Sequence, residues 1–174
     1  MENQKLFVCV AILSLWLICI ICTFTIAHHL IYFSNKDNVK SEVDLWLEEQ
    51  ELQGYSKVFR KKGISSLVSC ATLEELPELP PHDEERLQRA ARLLQQRLIL
   101  RQWLQSLSLQ HHHHRLLQED VTSLEDVYWL EDTRARYLLG KDFAVWSAAR
   151  QALPVNKEDL GKLKAELWSA VVKS

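Results

Sequence analysis

DEERLQRAARLLQQRLILRQWLQSL, residues 83–107, contains neither Gly nor Pro and consists almost wholly of good helix formers. Pro80-Pro81 stops any helix arriving from upstream, and Asp83 is a suitable N-cap just after it. Leu87, Ala90, Ala91, Leu94 and Leu98 recur at helical spacing. The stretch predicts one long helix shared by two similar units, closing the first and opening the second.

A repeat supports that sharing. Trp46-Leu47 returns as Trp103-Leu104, 57 residues on, and Leu52 and Leu109 keep the same offset. So do Phe59 and Leu116, Leu73 and Leu130, and the pair Ile64-Ser65-Ser66-Leu67 and Val121-Thr122-Ser123-Leu124. Ala90-Ala91-Arg92 matches Ala148-Ala149-Arg150 at 58, which reads as one inserted residue. A fixed period of this kind means duplicated units. The chain of 174 residues has only four Gly and four Pro, and no alternating apolar run long enough for a strand, so the fold class is all-α.

Each unit reads as five short helices. The first spans residues 43–98, with helices at about Val43–Gln50, Tyr55–Lys62, Ser65–Val68, Thr72–Leu76 and Asp83–Gln96. The second spans 99–153, with helices at about Ile99–Leu107, Gln110–Gln118, Thr122–Asp126, Tyr128–Thr133 and Lys141–Leu153. Thr72 with Glu75, and Thr122 with Glu125, have the spacing of a capping box. After Pro154, residues 156–173 form a last helix capped by Asn156, with Leu160, Leu163, Leu167 and Val171 as its apolar stripe. That stripe is expected to pack on the second unit; the same spacing would also suit a partner's groove.

Upstream, Leu6–Ala27 is an apolar run without a charge, long enough to span a hydrocarbon core as a helix. His28, His29, Tyr32 and Phe33 follow at its edge. A cleaved signal peptide is the competing reading, with Thr25-Ile26-Ala27 a poor cleavage site. A retained single-pass anchor is expected, followed by a linker at 34–42. Lys36 and Lys40 give a slight positive-inside bias toward a cytosolic C-terminal part. Cys70 alone downstream of the anchor offers no disulfide framework.

Five helices with a Trp-Leu in the first, an aliphatic-x-Ser-Leu turn in the middle and a long last helix resemble the sterile alpha motif domain. The resemblance covers about Val43 to Leu153, and the direct fusion of two units is similar to the domain pair of the sterile-alpha-and-TIR-motif family. Where that family usually has Leu-Gly-Ile, this chain has Leu79-Pro80-Pro81 and Leu138-Leu139-Gly140. The resemblance implies association through an acidic middle surface on one domain and a basic final-helix surface on another. It carries over no enzymatic activity, because no TIR-like segment is present.

The charges are segregated in keeping with this. Between Arg86 and Gln118 there is no acid, while Arg86, Arg89 and Arg92 lie on the first unit's final helix. Between Leu116 and Thr133 there is no Lys or Arg, while Glu119, Asp120, Glu125, Asp126, Glu131 and Asp132 lie in the middle of the second unit. Local pairing on solvated faces is one reading of these residues; a head-to-tail contact between copies or with other such domains is the other. His111–His114 could hold a metal weakly, but with no acid or Cys nearby in sequence a solvated helix face is expected, and no metal or cofactor. Signatures of phosphate-binding loops, dinucleotide folds and hydrolases are absent, so no enzyme is expected. The expected function is a membrane-anchored adaptor that self-associates or recruits protein partners. RNA binding through the Arg86–Arg101 surface, disfavoured by near-neutral net charge, and an accessory subunit bound through its spanning helix are the alternatives.

Overall fold

The first unit begins at helix α1, Glu42–Glu49, which turns Val43, Trp46 and Leu47 inward at i, i+3 and i+4. The structure, a computed structural model, describes residues 40–73 and 79–173, and no strand occurs among them. The chain leaves α1 through Glu51 in the left-handed region (φ 57°), passes a short 3-10 turn at Gln53–Tyr55, and enters α2, Ser56–Lys61, which buries Phe59. Asp44, buried beneath α1, accepts a 2.7 Å bond from Arg60 of α2. Gly63 reverses the chain at φ 73°, and Ser66 caps α3, Leu67–Ala71, by accepting from Ser69 N at 3.1 Å.

Helix α4, Pro81–Ser106, is uninterrupted over 26 residues, roughly 39 Å at 1.5 Å per residue. Leu87, Ala90 and Leu94 enter the first core; Ile99, Leu100, Trp103 and Leu104 enter the second. One helix therefore serves both cores. It starts earlier than the sequence suggested. Pro81 sits inside the first turn, where its fixed φ suits the helix and its missing N–H removes nothing. Asp83 is not the cap: it lies within that turn and accepts a bond from the Tyr55 hydroxyl, which ties α4 to the first unit and raises the tyrosine's pKa.

The second unit repeats the first at the level of the backbone. Ser108 (φ 61°) stands where Glu51 does, and Asp120 (φ 61°) where Gly63 does. Leu52 N donates to Leu47 O at 2.7 Å, and Leu109 N donates to Leu104 O at the same distance. Ile64 N to Phe59 O and Val121 N to Leu116 O both measure 3.0 Å. The 3-10 turn Gln110–His112 and α5, His113–Gln118, occupy the places of Gln53–Tyr55 and α2.

Beyond α5 the expected boundaries shift. Helix α6 is Leu124–Trp129 and α7 is Asp132–Leu139, in place of helices over Thr122–Asp126 and Tyr128–Thr133. The capping box belongs to Ser123 and Asp126, one residue past the expected Thr122 and Glu125, and this sets the start of α6. The break at Leu130 holds because its side chain is buried and its carbonyl accepts from Arg150 at 2.6 Å, replacing the helical bond it forgoes. Gly140 (φ 55°) ends α7, and a 3-10 turn at Gly140–Asp142 leads into α8, Phe143–Gln151, whose Trp146 is fully buried.

The register of the final helices also differs from the expected 58. Ala148 is exposed where Ala90 is buried. Pairing by burial matches Leu87 with Trp146, Ala90 with half-buried Ala149, and Leu94 with Leu153, an offset of 59. Helix α9, Lys157–Lys173, is capped as expected: Asn156 Oδ1 accepts from Asp159 N at 2.7 Å. Leu160, Leu163, Leu167 and Trp168 pack on the second core, and α9 runs along α4 far enough for Trp168 to share a groove with Ala71 and Leu73 of the first unit.

No helix among the described residues is long and apolar enough to cross a membrane. The expected span Leu6–Ala27 and most of the 34–42 linker lie outside the described residues. So does the greater part of the expected Thr72–Leu76 helix; Thr72 itself follows α3 and donates its hydroxyl back to Ser69 O at 3.1 Å.

Candidate interaction surfaces

Four of the six sequence-predicted acids are engaged locally. Glu119 pairs with Arg134 (Nε at 2.8 Å), Glu125 with Lys164 of α9, and Asp132 with Arg150. Asp126 accepts from the backbone N–H and hydroxyl of both Thr122 and Ser123, at 2.8–3.0 Å. Burial alone would raise its pKa; these bonds outweigh that and hold the carboxyl below its ordinary value. Asp120 and Glu131 are exposed, Asp120 at the left-handed turn and Glu131 just before α7. An acidic run in sequence is thus, in three dimensions, a set of clasps plus two outward carboxylates.

The basic candidates sit together on one stretch of α4. Arg86 pairs with Glu51 at 2.7 Å, Arg89 with Glu85 at 3.1 Å, and Arg92 Nε donates to Gln88 O at 3.3 Å. Arg86 and Arg89 keep 41% and 63% of their side-chain surface in water. Pairs this exposed contribute little and exchange readily for contacts with another molecule.

Sequence reasoning missed an exposed aromatic pair on the second unit. Trp129 is 80% exposed, with its ring edge-on to Tyr128 at 5.3 Å between centroids. The two rings border a groove of about 230 Å³ floored by Leu124, Leu153 and Leu160 and rimmed by Val155, itself 80% exposed. The Oε2 atom of Glu125 is buried at this groove without a hydrogen-bond partner. The repeat carried the signal: 57 residues upstream of Tyr128-Trp129 stand Ala71-Thr72, so two large rings replace two small side chains.

The four histidines do not form one solvated face. His113 Nε2 faces the Arg97 carbonyl at 3.2 Å, and burial first, then the charges of Arg101 and Arg97, lowers its pKa. His114 meets Gln118. His111 and His112 instead converge on Asp142, at 3.2 and 3.0 Å, an acid 30 residues downstream that linear reading placed out of reach. Those contacts, His112 foremost, hold Asp142 below its ordinary value.

No family model, no curated protein and no solved structure matches this chain.

Proposed function

We propose that the chain is a single-pass membrane-anchored adaptor whose two sterile-alpha-motif-like units associate head to tail, with copies of the chain or with similar domains of partners. The observation that supports this reading is the exposed Tyr128-Trp129 pair of the second unit, followed in the chain by the exposed Glu131, set against Arg86, Arg89 and Arg92 on α4 of the first. Arginine suits such a face on both counts, stacking on indole and pairing with carboxylate. Because the two surfaces differ, the contact is heterologous and builds a ring or an open filament. An anchor at Leu6–Ala27 confines copies to a membrane, where raised local concentration lets weak contacts suffice. The reading gives the chain no catalytic role, and places the two units in the cytosol.

The test is sedimentation equilibrium of the full chain in density-matched detergent. Mass rises with concentration and falls with added salt. Trp129→Ala with Glu131→Lys lowers association, as does Arg86→Glu with Arg89→Glu. A monomer mass constant across concentration and salt rejects the self-association. Asp126→Lys is a poor probe, since it breaks the capping box.

A further inference from the structure

We propose that His111, His112 and Asp142 form a binding site for a divalent transition metal, with zinc the ion it suits best. The donor set is two imidazoles and one carboxylate, the types zinc takes when three protein ligands leave a fourth position open. The structure brings them together from two 3-10 turns, Gln110–His112 and Gly140–Asp142. Both ring Nε2 atoms lie 3.0–3.2 Å from one oxygen, Asp142 Oδ2, and the three ligand atoms all fall within 4.8 Å of one another. Bonds of about 2.0–2.1 Å in a tetrahedron separate ligand atoms by about 3.3 Å, close to the 3.0–3.2 Å that already separates each Nε2 from the carboxylate oxygen.

The surroundings hold the ligands in place. His112 and Asp142 keep only 14% and 23% of their side-chain surface in water, and Asp142 sits at the start of α8. The neighbouring histidines are committed elsewhere, His113 to the Arg97 carbonyl and His114 to Gln118, which separates this site from simple chelation by a histidine run. On binding, the metal occupies Nε2 of each ring, which stays neutral with its proton on Nδ1, and any further ring proton passes to solvent. The fourth position is left for water or for a side chain of another molecule.

The experiment uses the full chain in detergent, stripped with a chelator and titrated with Co²⁺ read by visible absorption, then with Zn²⁺ by calorimetry. One equivalent binds saturably and zinc displaces cobalt. Asp142→Asn and His111→Gln each weaken binding by at least about tenfold, while His114→Gln leaves it unchanged. Affinity that survives Asp142→Asn, or that falls as far with His114→Gln as with His111→Gln, overturns the site in favour of the run itself, and so does a wild-type chain that binds no metal. If Asp142→Asn unfolds by far-UV circular dichroism, His111→Gln, whose side chain is 57% exposed, decides the matter. The readout is independent of self-association.

Discussion

Replacing Gln96 by Pro breaks α4 between the buried residues it gives to the first core and those it gives to the second. Gln96 lies on α4 between Leu94, the last fully buried residue of the first core on this helix, and Ile99, the first of the second; Leu98 beyond it still packs against the first core, and Gln96 itself is only partly buried. In an unbroken helix its N–H donates to the Arg92 carbonyl. Proline removes that bond and drives its ring into the same carbonyl, at about 3 kcal/mol or more. For the folded stretch Glu42–Ser174 taken as one cooperative body, that is a fall in midpoint of roughly 10 °C. The larger effect is on cooperativity. Two probes report on different cores: labelling of buried Cys70 follows the first, and tryptophan emission, weighted toward Trp103, Trp146 and Trp168, follows the second. In the wild type the two urea transitions coincide; in Gln96→Pro they part, whereas Gln96→Ala leaves them together. If Gln96→Pro shifts the midpoint by less than about 1 kcal/mol and the probes remain coincident, α4 is not the coupling element.

Asp126→Ala strips the acceptor from two backbone N–H groups and two hydroxyls, and urea unfolding should show a loss of about 1–2 kcal/mol. Because the folded state lowers this carboxyl's pKa, its contribution is complete above the ordinary value of 3.8 and fades as pH falls through the folded one, so mutant and wild type converge in acid. Gly140→Ala meets no atom within 4 Å, yet its φ of 55° with ψ of −120° is nearly closed to alanine; a loss of about 1–3 kcal/mol by thermal melting is expected, against a small gain for Gly54→Ala. Burial pushes the Cys70 thiol from 9.0 up to about 12, so iodoacetamide at mildly alkaline pH leaves it unmodified in the folded chain. The unfolded chain releases that proton first, so stability falls as pH climbs between those two values, and Cys70→Ala flattens the slope in urea titrations.

Elements set by short-range chemistry were legible in the chain: the long α4 from the lack of Gly and Pro after Pro81, and the Asn156 cap from its spacing to Asp159. The 57-residue period was legible because it fixes both the buried set and the two left-handed turns, at Glu51 and Gly63, then at Ser108 and Asp120. What escaped depends on groups far apart in sequence. Nothing near Leu130 announces a break; Arg150, 20 residues on, supplies the bond that permits it. Ser123 and Thr122 both fit a capping box, and only the burial of Leu124 and Val127 selects the register. The acidic run looked open because its cations come from α7, α8 and α9. Asp142 completes the histidine pair across a fold that no local window contains.

The places where the two units differ are more informative than those where they agree. Ahead of the final helices, core positions stay buried and apolar across the repeat: Trp46 and Trp103, Leu47 and Leu104, and Phe59 and Leu116 are all buried. Packing density restrains such positions in any copy, whatever it does. Exposed positions carry no such restraint: Thr72 and Trp129 both lie in water, and leaving an indole 80% in water adds no stability that packing would reward. The surroundings differ in parallel. In the first unit Ala71 and Thr72 line a groove together with Trp168 of α9, whereas in the second unit Tyr128 and Trp129 border an apolar groove that remains open. Positions 57 residues apart therefore present unlike faces in the two units, the condition a directional, non-reciprocal contact requires. If Trp129→Ala melts with the wild type yet leaves every association of the full chain intact, the exposed ring has no part in such a contact.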